Sequence, residues 1–452
     1  MPGLSWILNL LYALLVLFFS PVIVYRMIVQ GKYRDGWKEK LLGRLPISPG
    51  TEPRIWFHAV SVGEVLQLRP VLERWARIRP DDRLIVTTTT VTGHALARKT
   101  FPRATVCYCP LDFSWAVRRA VHRVRPSLLV LVELELWPNL IRAAARNGVQ
   151  LALINARVSD HSFRGYRRIR LLMRPLLRCF ALLAAQDEHY ADRLEELGAP
   201  RNRLRVTGSI KFDGVTTDRS NPRTAQLRKV FGIAEGERVF VAGSTHAPEE
   251  EQVLDAWCAA RKHYSDLRLI LVPRHAERFD EVARLVLSRN LPLLRRTEVT
   301  QQSEDESAPG QASNTDHSIH PPVLLLDTLG ELSACWGLAD IAFVGGSLTG
   351  RGGQNMIEPA GYGAAVLFGP NTANFCDVVD QLLDRHAARV VHNRQELTRA
   401  VRFFLERPDV LVEQGERARR VVVSGRGATD RTIELLDHLL SVSCAHISSR
   451  AA

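Results

Sequence analysis

Neither Gly-x-Gly-x-x-Gly nor Gly-x-x-x-x-Gly-Lys-Ser/Thr occurs in these 452 residues, which argues against a dinucleotide dehydrogenase and a P-loop enzyme. Cysteine is sparse and unpatterned. There are seven, an odd number, and Cys107-x-Cys109 has no second pair to complete a zinc site or a disulfide framework. A reducing compartment is the simplest inference. Aromatic residues do not interleave with basic ones as in single-strand-binding proteins, so nucleic acid is the weakest candidate partner. No basic segment precedes the apolar N-terminus and no small-residue cleavage site follows it, which argues against a cleaved signal peptide.

What the chain does carry is basic charge and one long apolar run. Lys and Arg number 60 against 48 Asp and Glu, giving +12, a balance suited to a membrane surface or a phosphorylated substrate. Leu4 to Val29 is almost wholly apolar and long enough to cross ~30 Å of hydrocarbon at ~1.5 Å per residue. Arg26, Lys32, Arg34, Lys38, Lys40 and Arg44 follow it, which by the positive-inside rule leaves the rest of the chain in the cytoplasm. Ser20-Pro21 leaves open a kinked helix lying in one leaflet.

From Arg54 to about Val206, and again from Arg238, β-branched apolar runs alternate with helical spacing, the pattern of parallel sheets covered on both faces. The expected divisions are an anchor over 1–30, a basic segment over 31–53, a first α/β domain over 54–207 and a linker over 208–223. A second doubly wound domain follows over 224–440, interrupted by a low-complexity and disordered insertion at 301–320, with a tail over 441–452. A cleft is expected between the two domains.

The stretch His58-Ala-Val-Ser-Val-Gly-Glu64 joins a buried strand to a helix, at the sheet edge where parallel α/β proteins bind ligands. Ser61, Gly63 and Glu64 are candidate site residues there. Helix-terminal amides and the dipole would keep Glu64 ionised, fit to act as a general base. Ser61 and Glu64 also stand in capping-box register, and this stretch alone leaves both readings open. Glu133 and Glu135 end another apolar strand and point the same way if the chain is extended; solvated loop glutamates are the plain alternative. Arg157 follows the next strand, and Lys211 opens the linker.

In the second block, polar clusters recur at strand ends: Ser244 and His246, Pro273-Arg274-His275, Leu329-Gly330-Glu331, Ser347, and Asn355-Met356-Ile357-Glu358. Together they could line a nucleotide site, with a helix from about Asn355 offering its N-terminus to phosphate. Glu358 would cap that helix or accept hydrogen bonds from a ribose diol. His246 and His275 lack a third ligand at metal spacing, so hydrogen bonding is favoured for them.

The anchor followed by HAVSVGE, ELWPN, NARVSDHSFRGY, GSIKFD, GSTH, PRHAERF, GGSL and GGQNMIEP resembles the Kdo transferases, the 3-deoxy-D-manno-octulosonic acid transferases of lipopolysaccharide synthesis. The resemblance runs through nearly the whole chain. It implies a GT-B fold of two Rossmann-like domains, a CMP-Kdo donor, a lipid A precursor (lipid IVA) as acceptor, and inversion with neither metal nor cofactor. It also implies residence at the cytoplasmic side of the inner membrane. The family's general base falls on Glu64. Its transition-state-stabilising positions fall on Lys211 and on the glutamate pair, where Glu135 is favoured and Glu133 is the alternative. CMP contacts carry over to Pro273, Arg274, Leu329, Gly330, Glu331 and the segment from Asn355 to Glu358. The sequence departs from the family at Leu329, usually Met, at Leu134, often Thr, and at Gln354, often His. The insertion at 301–320 is foreign to the pattern. Rival readings are a membrane-associated GT-B enzyme using a UDP-sugar and a non-catalytic, membrane-tethered nucleotide-binding protein.

Overall fold

The computed structural model describes residues 3–29, 35–47, 50, 52–299 and 321–451. The expected insertion at 301–320 and much of the basic segment's start therefore lie outside the described residues. Two compact units emerge, Met1–Gly214 with Gly425–Ala452, and Val215–Ser424.

The first unit holds seven parallel strands: β1 (Arg54–His58), β2 (Arg83–Thr88), β3 (Thr105–Tyr108), β4 (Leu128–Val132), β5 (Gln150–Ala156), β6 (Leu182–Ala185) and β7 (Leu204–Val206). Their order is β3-β2-β1-β4-β5-β6-β7, so the chain reverses its direction of travel across the sheet between β1 and β4. Crevices for ligands form at such a switch point, outside the carboxyl ends of the strands. The central strands are buried on both faces. Trp56, Leu129, Leu131 and Leu153 point to one core, and Ile55, Phe57, Val130 and Ile154 to the other. That two-sided burial is why they read as apolar runs without alternation.

The second core also contains Ile433, Leu436 and Leu440 of the helix Ala428–Ala451. Arg74 of the helix Val62–Ile78 and Arg79 at its C-cap pair with Asp430 at 2.9 Å and Asp437 at 2.5 Å. The amides of Gly427 and Thr429 donate to Asp213. The stretch from 425 thus packs with the first unit, whereas periodicity alone carried the second domain on to 440.

The second unit repeats the plan with β8 (Arg238–Thr245), β9 (Leu267–Pro273), β10 (Leu293–Arg295), β11 (Val323–Leu325), β12 (Ile341–Val344), β13 (Ala365–Phe368) and β14 (Ala388–Val390). The order β10-β11-β9-β8-β12-β13-β14 places its switch point between β8 and β12.

The N-terminal helix Gly3–Val29 exposes Trp6, Ile7, Leu10, Leu11, Leu14 and further apolar side chains, and Ser5–Val22 is long and apolar enough to cross a membrane. Its first third packs on the first unit through polar groups. Asn9 exchanges hydrogen bonds with the Ser114 hydroxyl and amide at 2.8 and 2.9 Å, and the Tyr12 hydroxyl donates to Asp112 at 3.2 Å. The same Asp112 carboxylate caps the helix Pro138–Arg146 by accepting from the amides of Asn139 and Leu140.

Candidate active site

Glu64 sits on the first turn of the helix Val62–Ile78, directly after β1, with Ser61 at the N-cap. Its carboxylate turns back toward the strand. One oxygen accepts from the Val60 amide at 2.8 Å and the other from the Ser61 hydroxyl at 2.9 Å. The capping box is therefore real, with the glutamate reaching the amide one residue before the cap. Burial pushes the Glu64 carboxyl up to about 7 against those two hydrogen bonds, and the charges of Glu135 and Glu133 add to the rise. This overturns the expectation that helix-terminal amides keep it simply ionised. Only 7% of the residue is exposed, and desolvation outweighs the dipole. A carboxyl at that value is half charged near neutrality, the poise of a general base. A Cβ on Gly63 would meet nothing nearer than the Ser61 hydroxyl at 3.8 Å, so packing does not require glycine beside Glu64.

Glu133 follows β4 and takes positive φ (56°), so the chain is not extended there and the pair does not simply share a strand face. Its carboxylate accepts from the Gln67 amide at 3.0 Å and lies 3.8 Å from the Lys211 ammonium. Glu135 instead accepts from the Trp137 indole at 3.1 Å, and burial raises its pKa, with the Glu133 charge adding. Both glutamates are half-buried rather than solvated. Of the two, Glu133 is the one paired with Lys211.

Two further residues hold this arrangement: Gln67, which motif reading passed over, and Asn155, which opens the NARVSDHSFRGY motif but received no role from it. Gln67 stands one helical turn beyond Glu64; its carbonyl accepts from Asn155 at 2.6 Å while its amide meets Glu133. Asn155, near the end of β5 at φ 52°, uses its own carbonyl to accept the Ile210 amide at 3.1 Å. Asparagine tolerates that left-handed backbone better than most residues. Asn155 thereby fixes the short turn Ile210–Phe212 that carries Lys211. Arg157 lies just past β5, half-buried. His58 of the same motif as Glu64 is fully buried and neutral, its pKa lowered to about 4 by burial, with its ring edge-on to Trp137.

In the second unit the clusters also gather at carboxyl ends of strands, but some are already engaged. Fully buried Glu249 accepts from the amides of His246, Gly346, Ser347 and Leu348 at 2.7–3.0 Å. The amide-lined turn after β12 is filled by the protein's own carboxylate. The Ser347 hydroxyl donates to Val344 and accepts from Gly369, and the residue has no exposure, so its role is to hold the turn. Ser244 is buried with φ 55°. His246 lies edge-on to exposed His275 with ring centres 5.3 Å apart, and burial followed by the His275 charge lowers its pKa. No group of three or more metal-ligating residues occurs among the described residues.

Arg274 follows buried Pro273 at the end of β9 and is exposed. Leu329 is 76% exposed, and Gly330 adopts φ 90° in the same turn. Glu331 accepts from Thr328 and from Arg296. The helix expected from Asn355 begins only at Ile357 and is five residues long, too short to serve as an anion site. Asn355 spends its side chain on the Ile357 amide and on Glu358, both at 3.0 Å. Met356 and Ile357 are buried, leaving only their backbone for a ligand. Burial raises the Glu358 pKa, opposed by the Asn355 hydrogen bond and the nearby Arg274 charge.

Residues 35–214 match the family model described as 3-Deoxy-D-manno-octulosonic-acid transferase (kdotransferase). The 3-deoxy-D-manno-octulosonic acid transferase of Haemophilus influenzae is 33% identical over 384 residues, covering 84% of this chain and 86% of that one. The Bordetella pertussis enzyme of the same name is 34% identical, covering 85% and 87%. Among solved structures, a glycosyltransferase from Rickettsia africae aligns with TM-score 0.53 at 11% identity, over 86% of this chain and 99% of that one, a likeness of fold alone. With two seven-stranded parallel Rossmann-like units of the GT-B class and one-third identity across most of its length, the chain belongs to the Kdo transferases, glycosyltransferases of lipopolysaccharide core biosynthesis.

Proposed function

We propose that the chain transfers Kdo from CMP-Kdo to a lipid A precursor, lipid IVA, with inversion at the anomeric carbon and without a metal, at the cytoplasmic face of the inner membrane. The observation that carries this is Glu64, a carboxyl raised to about 7 beside an open Gly63 at the sheet's switch point. Glu64 takes the proton from an acceptor hydroxyl. That oxygen attacks the anomeric carbon, and the bond to the CMP phosphate breaks with its electron pair leaving on the phosphate. Positive charge develops at the anomeric carbon as in glycoside hydrolysis. Lys211, oriented by Glu133, and Arg274 balance the Kdo carboxylate and the departing phosphate. The second unit holds CMP through Pro273 and Arg274, the turn Leu329-Gly330-Glu331, and the segment from Asn355 to Glu358. The exposed apolar face of the N-terminal helix supports attachment to the membrane that carries the acceptor.

An in vitro assay with tetra-acylated lipid A precursor and CMP-Kdo made in situ tests this, with products resolved by mass spectrometry. A lipid heavier by one or more Kdo units is expected, in chelator as in buffer. Unchanged lipid beside an active control enzyme would overturn the proposal, and stronger competition by UDP than by CMP would overturn the donor assignment.

A further inference from the structure

We propose that the first unit carries a binding site for the phosphate of a membrane glycerophospholipid where the N-terminal helix docks. This rests on the reading that this helix enters the membrane. A cavity of about 230 Å³ lies there, and its lining includes Ser5, Arg118, His122, Asn139, Arg142 and Arg146 but no acidic residue. Arg118 and His122 are four apart on the helix Ser114–Val124, and Arg142 and Arg146 are four apart on the helix Pro138–Arg146 that packs beside it. Each pair therefore shares one helix face, and the two faces border one cavity. The guanidinium charges of Arg118, Arg142 and Arg146 drawn together this way repel unless an anion joins them.

Two atoms point to the ligand's chemistry. The Arg142 guanidinium has a buried Nη1 that finds no hydrogen-bond partner among the described residues, and neither does Oδ1 of Asn139, a residue only 3% exposed. Asp112 lies near enough for Arg142 to affect its charge, but it is engaged by two amides and the Tyr12 hydroxyl. The cavity thus offers a buried donor for an anionic oxygen and a buried acceptor for a hydroxyl. The anionic phosphodiester and the free headgroup hydroxyls of a phosphatidylglycerol present both.

The place in the fold supplies the rest. Ser5 borders the cavity, and Trp6, the next residue, is 76% exposed at the head of the helix's apolar face. Tryptophan in that setting lies at headgroup depth. The site is therefore level with lipid phosphates when the apolar face is immersed.

The test is native mass spectrometry of the full chain in mild detergent, titrated with phosphatidylglycerol. One lipid retained per chain is expected. Retention should weaken about 5-fold in Arg146→Gln or Arg118→Gln, both exposed positions, and about 30-fold in Arg142→Gln/Arg146→Gln. Exposed arginines of the second unit, Arg399→Gln and Arg420→Gln, should change nothing. Equal retention by all variants overturns the proposal, as does displacement of the lipid by millimolar inorganic phosphate, which would mark a site for soluble anions. A raised acceptor KM with phosphatidylglycerol retention unchanged would reassign the site to the acceptor and overturn it too. Flotation with vesicles separates the two readings: a chain that floats with no vesicle refutes the membrane attachment on which the site rests, whereas one that floats without retaining phosphatidylglycerol refutes the site alone.

Discussion

Ser61→Ala isolates one hydrogen bond to the proposed base. The Ser61 hydroxyl donates to Glu64 at 2.9 Å and favours the charged carboxylate, holding its pKa below where burial alone would put it. A hydrogen bond to a charged group contributes roughly 1.5 kcal/mol, or about one pKa unit. Without it the carboxyl moves from about 7 toward about 8. At pH 7 the ionised fraction falls from about one half to about one tenth, so transfer slows about fivefold. At pH 9 both proteins are ionised and their rates converge. The assay is kcat/KM for Kdo transfer from pH 5.5 to 9. Because Ser61 is also the helix cap, about 1 kcal/mol of stability is lost in the variant, and its fold is checked by thermal unfolding across the same range. An acid limb that stays in place, or a deficit that persists undiminished at pH 9, would refute the reasoning.

Glu64→Gln should abolish transfer yet leave the protein more stable above pH 7. Between 4.5 and about 7 the folded chain retains a proton that the unfolded chain releases, so wild-type stability falls through that window by about 3 kcal/mol, and the variant escapes the loss. Thermal unfolding of the solubilised protein at pH 4.5 and pH 8 measures it. Glu133→Gln should lower kcat by ~100-fold and Glu135→Gln much less, since Glu133 orients Lys211; equal effects in steady-state kinetics would contradict this. Asn155→Ala frees the Ile210 amide and should lower kcat about tenfold with little change in the donor KM, a split that a purely structural defect would not give. Glu249→Gln sets an NH2 group against two backbone donors and should cost about 3 kcal/mol of stability, read as a lowered melting temperature.

The strands of both sheets were legible because runs such as Leu128–Val132 are buried on both faces and must be apolar throughout. β10 and β14, two short strands that are only partly buried, were not among them. Glu64 was visible because its surroundings are local, a strand, a cap and a helix within seven residues. Its charge state was misjudged because burial is set by elements distant in sequence. Gln67 was invisible for the same reason, and Asn155, though it opens the NARVSDHSFRGY motif, showed no role. They are 88 residues apart, and only the neighbouring placement of β1, β4 and β5 brings them together. Glu249 opens the helix Glu249–Arg261, and nothing local shows that amides about 97 residues onward converge on it.

The return of the chain to the first unit after residue 424 has a consequence for synthesis. Domains ordinarily fold in the order they leave the ribosome, at ~5–20 residues per second. Here Val215–Ser424 can close its core while the earlier-made unit still lacks Ala428, Ile433, Leu436 and Leu440. The unit that emerges first is completed last. Until then the part of its sheet at β5 and β6 that this last helix packs against stays open, so nascent chains halted near residue 424 should be the most protease-sensitive and the most in need of a chaperone.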